Sequence, residues 1–277
     1  MKKLICALLL VATLLSFCAC GTTQKVKVAG VALTTEKYAF AVKKGDSDLL
    51  AKLNTFLAEI KENGKFDTVM ANYFGNGTPV GVESATKDDS KDQLVVATNA
   101  AFPPFEYKDG NKYFGVDMEI MAQFATYLNK ELVIDDMAFE SVCTSVGNGQ
   151  CDVAASGLTV KPDREEILDF STSYYDASQK IICLEGDTTF DDCKTAEDMA
   201  AKLKALPEGT KLGAQAGTTG YAFINGDEDF GFDGFANLKC DAYDNGAMAV
   251  QDLLNGNIKY VVIDDAPAAN IVKSFNG

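Results

Sequence analysis

The sequence predicts an α/β fold, because short apolar runs typical of buried strands alternate along the chain with stretches that have the apolar period of a helix. The composition agrees with a globular protein, since 47% of the 277 residues are hydrophobic and 23% are charged. Such alternation favours mainly parallel sheets. The length suits one large domain or two small ones.

The chain begins with an export signal. Lys2 and Lys3 precede an apolar run at residues 4–17, which is too short to span a bilayer comfortably. We interpret residues 1–19 as a signal peptide and expect cleavage before Cys20, because a small residue directly before a cysteine resembles the bacterial lipoprotein processing site. Cys20 would then carry a lipid, with residues 20–24 as the tether to the cell membrane. A plain secretory signal cut nearby is the alternative.

The first helix of the mature chain is predicted from one apolar stripe, formed by Leu49, Leu53, Phe56, Leu57 and Ile60. Asn63-Gly64 ends it, as glycine commonly does after a helix. The following residues 75–92 are rich in Gly, Ser, Thr and Asp and predict a solvated linker.

Beyond the linker, four apolar runs predict buried strands, at residues 94–98, 132–134, 153–155 and 260–263. Between the first two runs, Ile120, Phe124 and Leu128 recur every four residues and predict a helix. Asp117 is placed to cap the N-terminus of that helix.

The charge excludes several functions. With 25 Lys+Arg against 40 Asp+Glu, the net charge is −15, which disfavours a nucleic-acid partner. The chain contains no His, so neither a Ser-His-Asp triad nor a His-ligated zinc site is available. We expect no metal and no cofactor.

The cysteines leave their pairing open. Five follow Cys20, at Cys143, Cys151, Cys183, Cys193 and Cys240. An odd number in an exported chain leaves at least one unpaired. Local pairs would join the first two or the next two, and buried free thiols are equally consistent.

Six separated motifs carry a resemblance to a known family. They are ATNAAFPPFEY (97–107), FGVD (114–117), SGLT (156–159) with Arg164 following, DFS (169–171) with Tyr174-Tyr175, GTTG (217–220) and IDDAP (263–267). In these motifs and their spacing the chain resembles the extracytoplasmic amino-acid-binding proteins of ABC importers, the polar amino-acid family of solute-binding proteins. The likeness covers nearly all of the mature chain.

The order of the segments departs from that family. Residues 33–45, the helix after them and residues 72–75 resemble the segment that normally ends such a protein. Conversely, the chain stops at Gly277, where the family continues into a strand that resembles residues 25–28. We interpret the chain as circularly permuted, with residues 75–92 bridging the ancestral termini. A coincidental likeness of one segment is the alternative.

The resemblance implies a two-lobed periplasmic-binding-protein-like fold in which two α/β lobes are joined by two hinge strands. Lobe 1 would comprise residues 38–175, and lobe 2 would combine residues 25–33 with 179–277. The hinge crossings would lie at residues 34–38 and 174–178.

The resemblance also implies which residues hold the two charged groups of an amino acid. Arg164 would bind the carboxylate with its planar fork, helped by Gly157 and Thr159, and by Thr219 from the opposite lobe. Asp265 would bind the ammonium. From local sequence alone, an arginine in the position of Arg164 is more often a solvated surface residue, and Asp265 is equally a helix N-cap.

Four further residues match positions around the ligand. Phe102 and Phe139 would form aromatic walls, although the local sequence also allows both to be core residues. Asn99 and Gln215 would read the side chain of the ligand. Because Asn99 is neutral where the family often has Asp, we expect a neutral or polar amino acid, with Asp264 as the feature that leaves a cationic one open.

The implied function is capture of an amino acid by hinge closure and delivery, as a monomer, to the permease of an ABC importer. Two other functions use related folds. One is an extracytoplasmic dehydratase-like enzyme, which would need a carboxyl acid poised over its substrate. The other is a sensor that passes ligand occupancy to a signalling partner.

Overall fold

The computed structural model describes residues 24–277. The expected signal peptide and Cys20 lie outside the described residues. The strands are β1 (Val26–Ala29), β2 (Glu36–Tyr38), β3 (Ala41–Lys43), β4 (Gln93–Thr98), β5 (Ala101–Phe102), β6 (Glu106–Asp109), β7 (Lys112–Phe114), β8 (Glu131–Asp136), β9 (Val153–Ala154), β10 (Leu168–Phe170), β11 (Tyr175–Ala177), β12 (Gln179–Leu184), β13 (Thr210–Gln215), β14 (Leu238–Tyr243) and β15 (Tyr260–Asp264). The helices are α1 (Ser47–Glu62), α2 (Lys65–Phe74), α3 (Val116–Tyr127), α4 (Phe139–Gly147), α5 (Pro162–Glu165), α6 (Ala196–Lys204), α7 (Thr219–Asn225), α8 (Gly246–Leu254) and α9 (Asp265–Asn276). Across residues 24–277, no helix combines the length and apolarity that crossing a bilayer requires.

The first of two large sheets has the strand order β10-β3-β9-β4-β8. β4 runs parallel to β8 and β9, whereas β3 is antiparallel to both of its neighbours. Helices α1 and α3 pack on one face and α4 packs on the other. We call this sheet with its helices lobe 1.

The second large sheet has the order β1-β12-β15-β13-β14. β13 runs parallel to β14 and β15, and β12 is antiparallel to β1 and β15. Helices α8 and α9 cover one face, and α6 and α7 cover the other. This body is lobe 2.

Two strands connect the lobes. The chain leaves lobe 2 after β1, enters lobe 1 through β2, and returns through β11 to β12. β2 and β11 pair with each other in antiparallel fashion, with Tyr175 opposite Tyr38 and Ala177 opposite Glu36. The two-lobed α/β fold predicted from the sequence is therefore confirmed. We call the β2–β11 pair the hinge ribbon.

The predicted elements are found with small shifts of their ends. α1 buries Leu53, Phe56, Leu57 and Ile60 and ends before Asn63, as the stripe predicted. β4, β8, β9 and β15 cover the four predicted strands.

The predicted cap at Asp117 is wrong. α3 begins at Val116 with Gly115 as its N-cap. The fully buried carboxylate of Asp117 instead accepts hydrogen bonds from the Gly157 N–H at 2.9 Å and the Tyr174 hydroxyl at 2.6 Å. Both donors lie far along the sequence, so the first turn of α3 is tied to a distant loop.

The segment 75–92 is largely exposed, but it is not a free loop. Val82 exchanges two backbone hydrogen bonds with Tyr113, at 2.7 and 2.9 Å. Ser84 Oγ accepts the N–H of Ile134 at 2.8 Å, and the Ala85 N–H donates to Leu132 O at 2.8 Å. These bonds hold the segment along the edge of lobe 1.

The two ends of the described chain meet in lobe 2. The Val26 N–H donates to Asn276 Oδ1 at 3.1 Å, and Asn276 Nδ2 donates to Val26 O at 2.8 Å. α9, which ends at Asn276, packs against β1. The last helix and the first strand are therefore direct neighbours.

The five cysteines between residues 24 and 277 are free thiols, so neither of the two local pairings is formed. Cys151, Cys183 and Cys193 are buried, and the other two are half-buried.

Candidate functional site

A narrow cavity of about 10 Å³ lies between the two lobes, next to the hinge ribbon. Residues of both lobes line it. They are Asn99, Phe102, Glu106, Phe139, Gly157, Thr159, Arg164, Gln215, Thr218, Thr219 and Asp264. Eight of the nine ligand residues expected from the sequence are among them, and Asp265 is not.

Arg164 is the only arginine in the chain, and it spans the cleft. Pro162 starts the single turn of α5 that carries it, and 9% of the residue is exposed. Nη1 donates to Thr159 O in lobe 1 at 2.8 Å, and Nη2 donates to Gly217 O in lobe 2 at 3.2 Å. Its guanidinium carbon also lies 5.5 Å from the centre of the Phe139 ring. Since a guanidinium has five N–H donors, several remain for an anionic ligand.

Two threonines meet beside the guanidinium. Thr219 Oγ1 lies 3.4 Å from Thr159 Oγ1, which in turn donates to Glu36 Oε2 at 2.8 Å. Thr219 is the first residue of α7, and the Thr218 side chain caps that helix by accepting the Tyr221 N–H. A helix N-terminus thus approaches the cavity from lobe 2.

Asn99 and Gln215 form a second bridge across the cleft. Gln215 Nε2 donates to Asn99 Oδ1 at 2.9 Å, and Asn99 Nδ2 donates to Met137 O at 2.7 Å. The amide of Asn99 is therefore oriented by partners in both lobes.

Gly157 lets the wall of the cavity approach closely. Its φ is +50°, and a Cβ placed there would lie 3.0 Å from Cε1 of Phe102. A side chain at this position would have to displace the ring. Phe102 itself is 8% exposed and packs on Phe105, so it serves both as cavity wall and as core.

The acid in lobe 2 that faces the cavity is Asp264, not the expected Asp265. β15 extends one residue beyond the predicted strand, so Asp264 keeps strand geometry, is 5% exposed and accepts a hydrogen bond from the Tyr38 hydroxyl. Asp265 begins α9, and its Oδ1 accepts the N–H of Ala266 at 2.8 Å. A one-residue difference in the end of the strand decides which carboxylate enters the cavity.

Sequence reasoning also missed Glu106. This residue is fully buried in lobe 1, and its Oε1 accepts from Ser156 Oγ at 3.2 Å. Glu106 is among the residues that line the cavity, and its Oε2 has no hydrogen-bond partner among the described residues. No local signal identified it, because glutamate is almost never fully buried unless it is paired.

Buried acids dominate the electrostatics of the site. Burial raises the pKa of Asp264 to about 8, and the nearby Glu36 adds to that rise. Burial also raises the pKa of Asp117 to about 7. For Glu106, burial and then the neighbouring Asp117 raise the pKa well above its ordinary value. With one guanidinium on the other side, the cavity can pair with a carboxylate and with cationic groups at the same time.

Nothing in the described part of the chain resembles a metal site, since no three His, Cys, Asp or Glu side chains there are grouped to hold an ion.

Comparison with known proteins gives consistent relatives. Residues 94–265 match the model of the bacterial extracellular solute-binding proteins, family 3. The arginine-binding extracellular protein ArtP of Bacillus subtilis (strain 168) is 29% identical over 202 residues, which are 69% of this chain and 76% of that protein. A probable histidine-binding protein of Neisseria gonorrhoeae is 29% identical over 183 residues, which are 65% of this chain and 61% of that protein. The solved structure of an ancestral arginine-binding protein bound to arginine is 30% identical with a TM-score of 0.57, over 68% of this chain and 76% of that one.

The raised pKa of Asp264 predicts how stability depends on pH. An unfolded aspartate titrates near pH ~3.9, whereas the folded carboxyl keeps its proton up to about pH 8. Between these values only the folded state holds the proton, so the free energy of unfolding falls as pH rises, by up to about 1.4 kcal/mol per pH unit for this group.

Urea unfolding of the ligand-free protein at pH 5, 6, 7 and 8 measures this fall. We expect Asp264→Asn to reduce the slope of unfolding free energy against pH by the equivalent of nearly one proton. The neighbouring Asp265→Asn, outside the cavity, should keep the wild-type slope. Parallel curves for Asp264→Asn and the wild type would contradict the assignment.

Proposed function

The chain belongs to the bacterial extracellular solute-binding proteins of family 3, and from that membership we propose that it captures an amino acid by lobe closure and delivers it, as a monomer, to the permease of an ABC importer. The family is extracellular, so the chain acts outside the cytoplasm. Its curated relatives are binding proteins, not enzymes. The observation that carries the proposal is the cavity between the lobes, with one buried guanidinium and buried carboxylates facing it.

In this proposal Arg164 binds the carboxylate of the ligand. Charge-assisted, two-pronged hydrogen bonds make arginine the best available partner for that group. Thr159 and Thr219 lie beside the guanidinium and supply hydroxyls, and Gly157 has no side chain that would displace the Phe102 ring. The contact of Arg164 with Gly217 supports a role that requires both lobes.

The ammonium of the ligand is assigned to Asp264 instead of Asp265, because only Asp264 lines the cavity. A cation beside Asp264 favours its charged form and displaces the proton that burial retains. Phe102 and Phe139 form walls on the side of lobe 1, and the pair of Asn99 with Gln215 closes the far end.

The remaining acid selects the class of ligand. Once Arg164 and Asp264 hold the two backbone charges, Glu106 remains in the lining of the cavity with one carboxyl oxygen that has no hydrogen-bond partner among the described residues. A buried carboxyl group without a partner is unfavourable, and a cationic side chain would satisfy it. The cavity therefore favours a cationic amino acid over the neutral one expected from Asn99. Relatives named for arginine and histidine binding support this choice.

Release and capture require the lobes to separate, and the hinge ribbon is the proposed axis of that motion. It is the pair of strands through which the chain passes from one lobe to the other. Ligand contacts from both lobes exist together only in the closed form, so ligand shifts the population toward closure.

We also propose that Cys20 carries a lipid that anchors the protein to the cell membrane. The apolar run at residues 4–17 and Ala19 directly before Cys20 support it.

The permuted order is the last part of the proposal. Asn276 and Val26 are hydrogen-bonded to each other, so a link between the two present ends needs few residues. The family match begins at residue 94 and leaves α1, α2 and β1 to β3 outside it, as expected when a segment has changed its place in the chain.

The first test is calorimetry against the common amino acids. We expect saturable binding without turnover, and loss of affinity on the order of 100-fold or more for Arg164→Ala, because a buried charged hydrogen-bond partner is removed. Arg164→Lys keeps the positive charge but lacks the planar fork, so its affinity should lie between those of the wild type and Arg164→Ala. Unchanged affinity in a folded Arg164→Ala protein, or conversion of the ligand into a product, would reject the function.

The second test addresses the class of ligand. Wild-type protein should prefer arginine, lysine or histidine to glutamine, and Glu106→Gln should reduce that preference by about tenfold or more. Glu119→Gln changes a buried glutamate of the same lobe outside the cavity and serves as the control. A wild-type preference for neutral amino acids would return the proposal to a neutral ligand. A preference for cationic amino acids that Glu106→Gln leaves unchanged would reject the role of Glu106.

The third test restores the family order. A chain that runs from Asn76 to Gly277, continues through a short glycine-serine link into Lys25 and ends at Gly75 should fold and bind the same ligand within a few-fold. A control chain opened inside β4, a buried central strand, should not fold. If the reordered chain fails like the control, the permutation is wrong.

A further inference from the structure

An ion pair joins the lobes away from the cavity. Lys161 Nζ lies 2.7 Å from Oδ2 of Asp227 in lobe 2 and 2.9 Å from Oδ2 of Asp163 in lobe 1. Neither Lys161 nor Asp227 lines the cavity. The other ion pairs formed between residues 24 and 277 stay within one lobe or within the hinge ribbon. In this part of the chain, only the Lys161–Asp227 pair crosses the cleft.

This pair is more buried than an ordinary surface pair. The exposed fractions are 11% for the Lys161 side chain and 20% for that of Asp227, against 50% and 35% for Lys211 and Asp241 within lobe 2. The Lys161 ammonium also lies 5.0 Å from the centre of the Phe230 ring. Burial lowers the pKa of Lys161, but its hydrogen bonds to Asp227 and Asp163 outweigh that and raise it. Because the pair is partly buried, water weakens its attraction less than that of a fully exposed pair.

The lobe 2 partners are held rigidly. Oδ1 of Asp227 accepts the N–H groups of Asp229 at 3.0 Å and Phe230 at 3.3 Å. Asp227 and Phe232 exchange two backbone hydrogen bonds of 2.8 Å. The Phe230 ring stacks on Phe232, and Phe232 meets Phe223 of α7 edge-on. The loop at residues 227–232 therefore moves together with α7, whose first residue, Thr219, lines the cavity.

In lobe 1, Lys161 is connected to the cavity through its neighbours in the sequence. Lys161 lies two residues after Thr159 and three before Arg164, in the segment that ends with α5. Separation of the lobes must break the bond between Lys161 and Asp227 and expose the Phe230 ring. The same motion breaks the contact of Arg164 with Gly217.

We propose that Lys161, Asp227 and Phe230 form a latch that holds the closed form and sets the rate at which ligand leaves. The latch rests on the proposed function, because release of an enclosed ligand requires the lobes to part. Its members are positioning residues, since none of them lines the cavity. The latch therefore acts on release and not on the choice of ligand.

The test is stopped-flow measurement of ligand dissociation. Lys161→Met and Asp227→Asn should each raise the dissociation rate about tenfold, with little change in the association rate. The ranking among amino acids should stay as in the wild type. The double variant should be no faster than Lys161→Met alone, because the two changes remove one interaction. Lys211→Met and Asp241→Asn break an ion pair of similar length within lobe 2 and should leave dissociation unchanged.

Salt separates a latch from a general loss of stability. Raising sodium chloride from 0.1 to 1 M should speed dissociation from the wild type and have a smaller effect on the two latch variants. Rates and salt responses equal to those of the wild type in both variants would overturn the proposal.

A readout without ligand keeps the latch distinguishable from the proposed function. Small-angle X-ray scattering of the ligand-free proteins should give a larger radius of gyration for the latch variants than for the wild type and the lobe 2 controls. If no amino acid binds but this expansion is seen, the function fails and the latch stands. If amino acids bind while neither scattering nor dissociation changes, the latch fails and the function stands.

Discussion

The closed arrangement of this protein depends on one guanidinium. Arg164 donates to a carbonyl of each lobe and lies against the ring of Phe139, so these contacts exist together only while the lobes are closed. A buried guanidinium cannot lose its charge, and it must therefore find acceptors wherever it is placed. Glu106 and Asp264 line the same cavity, and Glu36 is linked to it by accepting a hydrogen bond from Thr159. The geometry of the cleft follows from this one cation among several carboxyl groups.

The sequence predicted most of the fold, and it failed where partners are distant. Apolar periodicity gave α1 and the buried strands because it reports local geometry. Asp117 looked like a helix cap, but its actual donors are 40 and 57 residues away, which local pattern does not reveal. Asp264 and Asp265 are adjacent acids, and only the length of β15 separates their roles.

In the candidate site too, some residues were predicted from the sequence and others depend on distant partners. Resemblance to a family supplied the motifs that carry Arg164, Thr159 and Thr219, which the structure brings to one cavity. It did not reveal Glu106, because the free oxygen of that residue is apparent only when its surroundings are known. Asn99 suggested a neutral ligand when considered alone. Its amide is in fact held by Met137 and Gln215, so it says less about ligand charge than the buried acids do.

The position of β3 has a consequence for how the protein is made. β3 lies between β10 and β9 inside the first sheet, and it comes from the N-terminal part of the chain. All five strands of lobe 1 therefore fall within residues 41–170, one uninterrupted stretch. Lobe 1 is complete in the sequence before most of lobe 2 begins, so a chain exported from its N-terminus can assemble lobe 1 without waiting for the C-terminus. The outer strand β1 is the one piece of the second sheet that must wait for a partner made later.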